Sequence, residues 1–226
     1  MDGATIAEDR RLVFSLMLLT FATGLVDAAS VLGLGRVFTA NMTGNVVFLG
    51  FALGGAQDVS MAGSLVALLS FLLGAACGGR IMRTDSPLAL RIVLALEVVL
   101  LLSAAGIAAL ADEREPVPRG VLLVLLAMPM GLQNAGIRRL AVPDLTTTVL
   151  TLTLTGIAAD SPLAGGANPR LVRRVGAVLM MLAGAVLGAS LLRRGLAWTI
   201  AVAGVLDAIV LAGVLVARVS RRSGQA

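Results

Sequence analysis

A polar stretch inside an apolar chain holds the residues best suited to chemistry. It contains Asn41, Thr43, Gly44 and Asn45, and Asp27 precedes it within a long apolar run. Amide, hydroxyl and carboxyl groups are costly at such a place unless protein or water surrounds them. An acid in an apolar run is a candidate for carrying a proton or cation. We therefore predict a substrate-binding site at these five residues, with Asp27 also a proton-relay candidate.

The same residues have a structural interpretation, which the sequence leaves open. In that interpretation Asp27 only accepts hydrogen bonds from the neighbouring segment, and Asn41 to Asn45 only satisfy backbone groups at a break in a helix. Apolar residues 46–56 follow the stretch. Thr43-Gly44-Asn45 therefore predicts the N-terminus of a short helix. Free N–H groups at such an end favour an anion or a polar solute.

The second half of the chain carries a similar polar set. Asn134 interrupts one apolar run, and a threonine-rich segment follows it. We predict that these residues contribute to the same substrate site: Asn134, Thr146, Thr147 and Thr148. The alternative is that the threonine hydroxyls bond to carbonyl groups of their own helix.

Two further acids, Glu97 and Asp207, lie at the centres of two other apolar runs. They are candidates for a pair of proton-titrating groups that meet across a pseudo-two-fold axis. The alternative is a structural pairing of each acid with an arginine at a helix end or with a polar residue.

Composition places the chain in a membrane. Hydrophobic residues make up 58% of its 226 residues, mean hydropathy is +0.97, and charged residues are only 14%. In soluble domains, about a quarter of the residues are charged. There is no His or Tyr, and Cys77 is the single cysteine. We therefore expect no metal site, cofactor, disulfide or catalytic set, and no enzyme activity. Membrane topology explains the net charge of +5 better than nucleic-acid binding does.

Apolar runs of about 20 residues predict full membrane spans. Six are present, at residues 12–35, 59–79, 88–111, 120–137, 175–192 and 195–217. Residues 145–159 form an apolar run of only 15 residues, which is too short to cross the membrane. Residues 43–56 form a similarly short run. The predicted fold is an all-α polytopic membrane protein with six full transmembrane helices and two half-helices.

The two halves of the chain match each other. Residues 24–28 recur at residues 131–135 with an offset of 107, whereas the two mid-span acids are 110 residues apart. Gly74 and Gly184 also differ by 110. Each half contains three full spans, so a second copy would be inverted relative to the first. The prediction is one membrane domain, residues 1–226, with inverted repeats at residues 12–111 and 120–217.

Arginine positions predict the orientation. If both half-helices return to the side they left, 13 of the 18 arginines lie on one side of the membrane. The positive-inside rule makes that side the cytoplasm and places both termini there. Partners predicted from sequence are the lipid bilayer and a small solute, with no nucleic acid, and the sequence allows a homo-oligomer.

Two motifs resemble the YoaK family. They are Thr23-Gly24-Leu25-Val26-Asp27-Ala28 with residues 37–47, and Gly131-Leu132-Gln133-Asn134-Ala135 with Arg138-Arg139 and the threonines beyond. The resemblance covers nearly the whole chain. It implies a polytopic protein of the bacterial inner membrane and implies no activity.

The half-helix plan is similar to that of nucleobase and sulfate permeases. Together with the midplane acids, it favours a secondary transporter or channel for a small polar or anionic solute, with possible coupling to protons. The alternative is a membrane interaction or scaffold protein.

Overall fold

The computed structural model describes residues 3–84, 86–140, 150–168 and 170–223. Eight α-helices make up nearly all of this part, and it contains no strand. They are α1 Gly3–Gly33, α2 Met42–Leu53, α3 Met61–Ile81, α4 Pro87–Leu110, α5 Pro116–Leu140, α6 Leu150–Ala159, α7 Leu171–Leu191 and α8 Leu196–Ser223. Six are long and apolar enough to cross a membrane, whereas α2 and α6 are shorter. The predicted all-α class and the count of long spans are confirmed.

Local sequence signals set several helix ends. Ser60 accepts a hydrogen bond from the Gly63 N–H at 3.0 Å and caps α3. Ser86 does the same for α4 through the Leu88 N–H at 3.1 Å, with Pro87 in the first turn. Capping side chains and an early proline are typical of helix starts. Between these ends, long apolar sequences sustain each helix.

The long helices pack in pairs: α3 on α5, α1 on α7 and α4 on α8. Further contacts join α1 to α8 and α4 to α5. Exchanging α1–α4 with α5–α8 leaves this set of pairs unchanged. Such an exchange is what a duplicated architecture produces, although the inverted repeat itself stays a prediction.

Glycines let the paired helices approach closely. A Cβ atom on Gly74 of α3 would lie 2.0 Å from the Met128 carbonyl oxygen of α5. A Cβ atom on Gly184 of α7 would lie at the same 2.0 Å from the Phe21 carbonyl oxygen of α1. Small residues permit this backbone contact between membrane helices. Any larger residue at either position would push the paired helices apart.

The chain doubles back after α1. Gly35 and Arg36 adopt positive φ angles of 90° and 59°, and Thr39 and Ala40 then reach back to Asp27. Asp27 lies six residues before Gly33, so α2 begins roughly 9 Å below the end of α1 at 1.5 Å per residue. A Cβ on Gly63, near the start of α3, would lie 2.8 Å from Val37. The chain therefore returns toward the end where α1 stopped, as the half-helix prediction requires.

Helix ends also agree with alternating spans. One cavity is lined by Leu12 and Leu90 near the starts of the first and third candidate spans, and by Leu140 and Val214 near the ends of the fourth and sixth. A surface groove joins the ends of α3 and α5. The first and third spans therefore start at the same end of the bundle at which the fourth and sixth spans end. Arg80, Arg83 and Arg139 line that groove, and we call this end of the bundle the arginine-rich end.

This topology predicts a labelling pattern. We expect single cysteines on a Cys77→Ala background to react with a membrane-impermeant maleimide in intact cells at position 58. Cysteines at positions 84 and 163 are expected to react only after the cells are opened, because they lie at the arginine-rich end, which the positive-inside rule predicts to be cytoplasmic. Asp58, Thr84 and Leu163 are all exposed. Labelling of position 84 in intact cells would contradict the arrangement.

Candidate functional site at the centre of the bundle

Asp27 joins α1 to the segment that precedes α2. Its Oδ1 atom accepts hydrogen bonds from the Thr39 N–H at 3.0 Å and the Ala40 N–H at 2.9 Å. The Asn41 side-chain amide donates to Oδ2. The Thr39 hydroxyl adds a contact of 3.2 Å to Ser30 on α1. The carboxyl group is buried, and it satisfies backbone donors that the break between helices leaves free.

Asn45 stabilises the same break from α2. Its Oδ1 atom accepts the Phe38 N–H at 2.9 Å, and its Nδ2 atom donates to the Phe38 carbonyl oxygen at 2.6 Å. Gly44 makes room for the Phe38 ring, since a Cβ there would lie 2.5 Å from the ring carbon Cδ2. Thr43 is exposed. The helix begins at Met42, one residue before the predicted Thr43.

The structure thus brings Asp27, Asn41 and Asn45 together in one polar cluster around residues 38–41. Each of these three side chains bonds to the protein itself. The structural interpretation accounts for these contacts, and Phe38 accounts for the glycine at position 44. Binding of a solute at the cluster stays a prediction.

In the second half, Asn134 lies on α5 and donates to the Met130 carbonyl oxygen of its own helix at 2.7 Å. The predicted residues Thr146, Thr147 and Thr148 lie outside the described residues. The contribution of these threonines to one site with Asn134 therefore stays a prediction.

Arg174 anchors the second short helix and was not predicted from sequence. This buried side chain donates to the Gly156 carbonyl oxygen of α6 at 2.6 Å, and it pairs with Asp160 at 2.6 Å. It also donates to Asn168 at 3.2 Å. A cation near the C-terminus of a helix interacts favourably with the helix dipole. The sequence signal was a basic residue at the start of the apolar run that follows α6. Three arginines lie there, Arg170, Arg173 and Arg174, and the sequence does not distinguish which of them is buried.

The two remaining acids face each other at the interface of α4 and α8. Glu97 and Asp207 are both 0% exposed. The two side chains are neighbours, and neither carboxyl group accepts a hydrogen bond from a donor in the described part of the chain. The two mid-span acids therefore lie together, while the pseudo-two-fold axis that would relate them stays a prediction. Their role as proton-titrating groups stays a prediction.

A small cavity lies about one helical turn from this acid pair, and neither acid lines it. Its volume is about 30 Å³, and its wall includes Val93 of α4, Gln133 of α5 and Val210 of α8. This volume suits one or two water molecules. Val93 and Val210 each lie one helical turn from an acid, Glu97 and Asp207 respectively. The cavity therefore lies between the acid pair and the arginine-rich end of the bundle.

Two hydrogen bonds between helices involve residues that line this cavity. On α1, the Thr23 hydroxyl contacts the Gln133 side-chain oxygen of α5 at 3.2 Å. Arg91, earlier on α4, donates to the Val214 carbonyl oxygen of α8 at 3.2 Å. No group of three or more His, Cys, Asp or Glu side chains in the described ranges is arranged to hold a metal ion.

Comparison with known proteins identifies the family. A family model described as "Protein of unknown function (DUF1275)" matches residues 15–213. The UPF0700 transmembrane protein YoaK of Bacillus subtilis (strain 168) is 38% identical over 160 residues, which cover 69% of each chain. No solved structure gives a significant match. The YoaK resemblance read from the two motifs is confirmed, and with six long apolar helices the protein spans the membrane several times. The chain belongs to the DUF1275 family of membrane proteins, which includes YoaK.

Proposed function

We propose that the protein is a proton-coupled secondary transporter for a small polar or anionic solute in the bacterial inner membrane, with both termini cytoplasmic. The observation that carries the proposal is the buried pair Glu97 and Asp207. Acids inside a membrane bundle mark ion and proton pathways more often than structural contacts.

The chemistry of the pair suits a proton site. Two ionised carboxylates that are buried side by side repel each other, and neither Glu97 nor Asp207 has a described donor to offset that repulsion. A proton held between two carboxyl groups removes the repulsion and supplies the missing hydrogen bond. Release of that proton requires a change in the packing of α4 on α8 or entry of water. Proton binding is thereby linked to the conformation of the bundle.

The cavity one helical turn from the pair is the proposed route for that proton. It lies on the side of the arginine-rich end, and its walls are mostly apolar apart from Ser15 and Gln133. A single water molecule there would place a hydrogen-bonding partner between the acids and the cytoplasmic end. At about 30 Å³ the cavity is far too small for a solute. The solute site therefore opens in a different arrangement of the helices.

The solute is proposed to bind where the spans are interrupted, at the start of α2 and in the matching region before α6. Half-helix N-termini near the midplane direct free N–H groups toward polar or anionic groups in many carriers. The helix pairs, unchanged when α1–α4 are exchanged with α5–α8, support a two-copy architecture that could rock between two states. In this mechanism Asp27, Asn41 and Asn45 hold the interrupted backbone in place. The solute binds the backbone N–H groups that become exposed when the helix bundle opens.

A scaffold or interaction protein is the competing function. Such a protein has no use for a pair of carboxyl groups at the centre of the bundle, where each is costly to bury. Enzymatic activity is not part of the proposal, since the chain lacks His and carries a single cysteine.

The test has two steps. Melting shifts of the purified protein first identify a solute from a set that includes sulfate and uracil, the substrate classes of the permeases with a similar half-helix plan. Liposomes containing the protein and a pH-sensitive dye then report acidification when that solute is added outside. We expect acidification with the wild type, and a rate close to that of empty liposomes for the variant Glu97→Gln/Asp207→Asn. This variant keeps the volume and hydrogen-bonding capacity of both side chains.

Asp58→Asn is the matched control, because Asp58 is exposed and outside the spans. It is expected to acidify the liposomes as the wild type does. Solute uptake that proceeds equally in the double variant, at every pH, would remove the acid pair from the mechanism. A folded protein that moves none of the solutes to which it binds would favour the scaffold function.

A further inference from the structure

A groove on the outer surface of the bundle lies where α3 and α5 end. Its volume is about 500 Å³. Small residues of α3 form one wall, including Ala76, Cys77 and Gly79, and arginines stand at its end. The arginines are Arg80 and Arg83 from α3 and the turn after it, and Arg139 from α5.

Close helix packing creates this concentration of positive charge. A Cβ on Gly78 would lie 2.9 Å from the Leu132 carbonyl oxygen, so the backbones of α3 and α5 are almost in contact just before the groove. Arginines that are far apart in sequence are therefore brought to one place. Arg80, Arg83 and Arg139 are all exposed. Within the described part of the chain, none of the three pairs with a carboxylate.

The groove lies at the depth of lipid headgroups. Arg80 is in the last turn of α3, and Arg139 is in the last turn of α5. Both helices are candidate membrane spans, so their ends lie at the boundary between hydrocarbon and water. Below the arginines, α3 exposes Leu69, Leu72 and Leu73, which give a surface for an acyl chain. Positive charge lies directly above apolar surface, as an anionic lipid requires.

We propose that this groove binds the headgroup of an anionic phospholipid from the cytoplasmic leaflet. Guanidinium groups bind phosphate oxygens through paired N–H donors, and three of them favour a lipid with net negative charge over a zwitterionic one. The small side chains of Ala76 and Gly79 leave room for the glycerol and the start of an acyl chain between α3 and α5. This site is separate from the acid pair and does not depend on transport.

The experiment compares phosphatidylglycerol, phosphatidylcholine and inorganic phosphate as ligands of the detergent-purified full chain. Native mass spectrometry counts bound lipids, and melting shifts report stabilisation. We expect phosphatidylglycerol to bind and stabilise, with little effect from the other two probes. In the variant Arg80→Gln/Arg83→Gln/Arg139→Gln its apparent affinity should fall about 100-fold, since each arginine near the surface contributes close to a factor of five.

The matched control is Arg36→Gln/Arg193→Gln/Arg194→Gln, which removes the same charge from the opposite end of the bundle. It should bind phosphatidylglycerol like the wild type. Cys77 offers a second readout, because it is the single cysteine and lines the groove. Phosphatidylglycerol should slow its reaction with a maleimide in the wild type and not in the groove variant.

Two results would overturn the proposal. Equal affinity of the groove variant and the control variant for phosphatidylglycerol would show that the lipid binds elsewhere. Equal stabilisation by inorganic phosphate, lost in the groove variant, would assign the groove to a soluble anion instead of a lipid.

Discussion

Replacing Gly74 by valine is expected to prevent assembly of the helix bundle. A Cβ at this position would lie 2.0 Å from the Met128 carbonyl oxygen and 2.9 Å from its carbonyl carbon. The obstacle is backbone, so no side-chain rotation relieves it, and α3 must move away from α5. Overpacking in a core typically destabilises by about 1–3 kcal/mol. We expect the loss here to exceed that range because two whole helices must separate.

Size-exclusion profiles and melting temperatures in detergent measure this effect. Gly184→Val is expected to be as damaging as Gly74→Val, since its Cβ would meet the Phe21 carbonyl oxygen at the same 2.0 Å. Gly106→Val on α4 is the control, because nothing lies within 4 Å of a Cβ there. If Gly74→Val melts within a few degrees of Gly106→Val, the close approach of α3 and α5 is wrong.

Asp27→Ala is expected to unfold the interrupted segment between α1 and α2. The substitution removes the acceptor for the Thr39 and Ala40 N–H groups, which bond to Oδ1 at 3.0 and 2.9 Å. A buried donor without a partner costs about 1–3 kcal/mol, so two of them cost about 2–6 kcal/mol. The Asn41 amide also loses its partner. The melting temperature should fall markedly, and a cysteine placed at position 39 should become reactive to maleimide.

Asp27→Asn separates the two interpretations of this acid. The new side chain keeps an oxygen for the Thr39 and Ala40 N–H groups, and Asn41 can turn its amide to accept from the new NH₂ group. If Asp27 only holds the break, stability and the pH profile of solute flux stay close to the wild type. Flux that loses its dependence on pH in a folded Asp27→Asn protein would instead make Asp27 a proton carrier. The hydrogen bonds of Asp27 lead us to expect the first result.

Much of the architecture was predictable from sequence because apolar length and helix breaks act locally. The six spans follow from runs of apolar residues, and the structure shifts their ends by a few residues, as with α3 at Met61–Ile81 against the predicted 59–79. The first short helix was expected near Thr43 and begins at Met42. Glu97 and Asp207 lie together, as candidates for a pair in the sequence, and the repeat axis proposed to relate them stays a prediction.

Partners of the polar residues were not predictable in the same way. Nothing local indicates that Gly44 makes room for the Phe38 ring or that Asn45 bonds to the Phe38 backbone. Arg174 was overlooked because Arg170 and Arg173 precede it, and the positive charge of all three was attributed to membrane topology. Its burial follows from the packing of α6 on α7.

The sequence by itself determined that this chain is a helical membrane protein, where its spans lie, and that polar residues interrupt the helices between α1 and α2. Those properties depend on the transfer of apolar side chains to lipid and on the need to satisfy backbone groups, which neighbouring residues in the chain decide. Only the tertiary structure decided that Asp27 accepts the backbone of residues 39 and 40, and that three arginines from α3 and α5 share one groove. Such contacts join residues distant in sequence, and they depend on which helices pack and on how closely glycine lets their backbones approach.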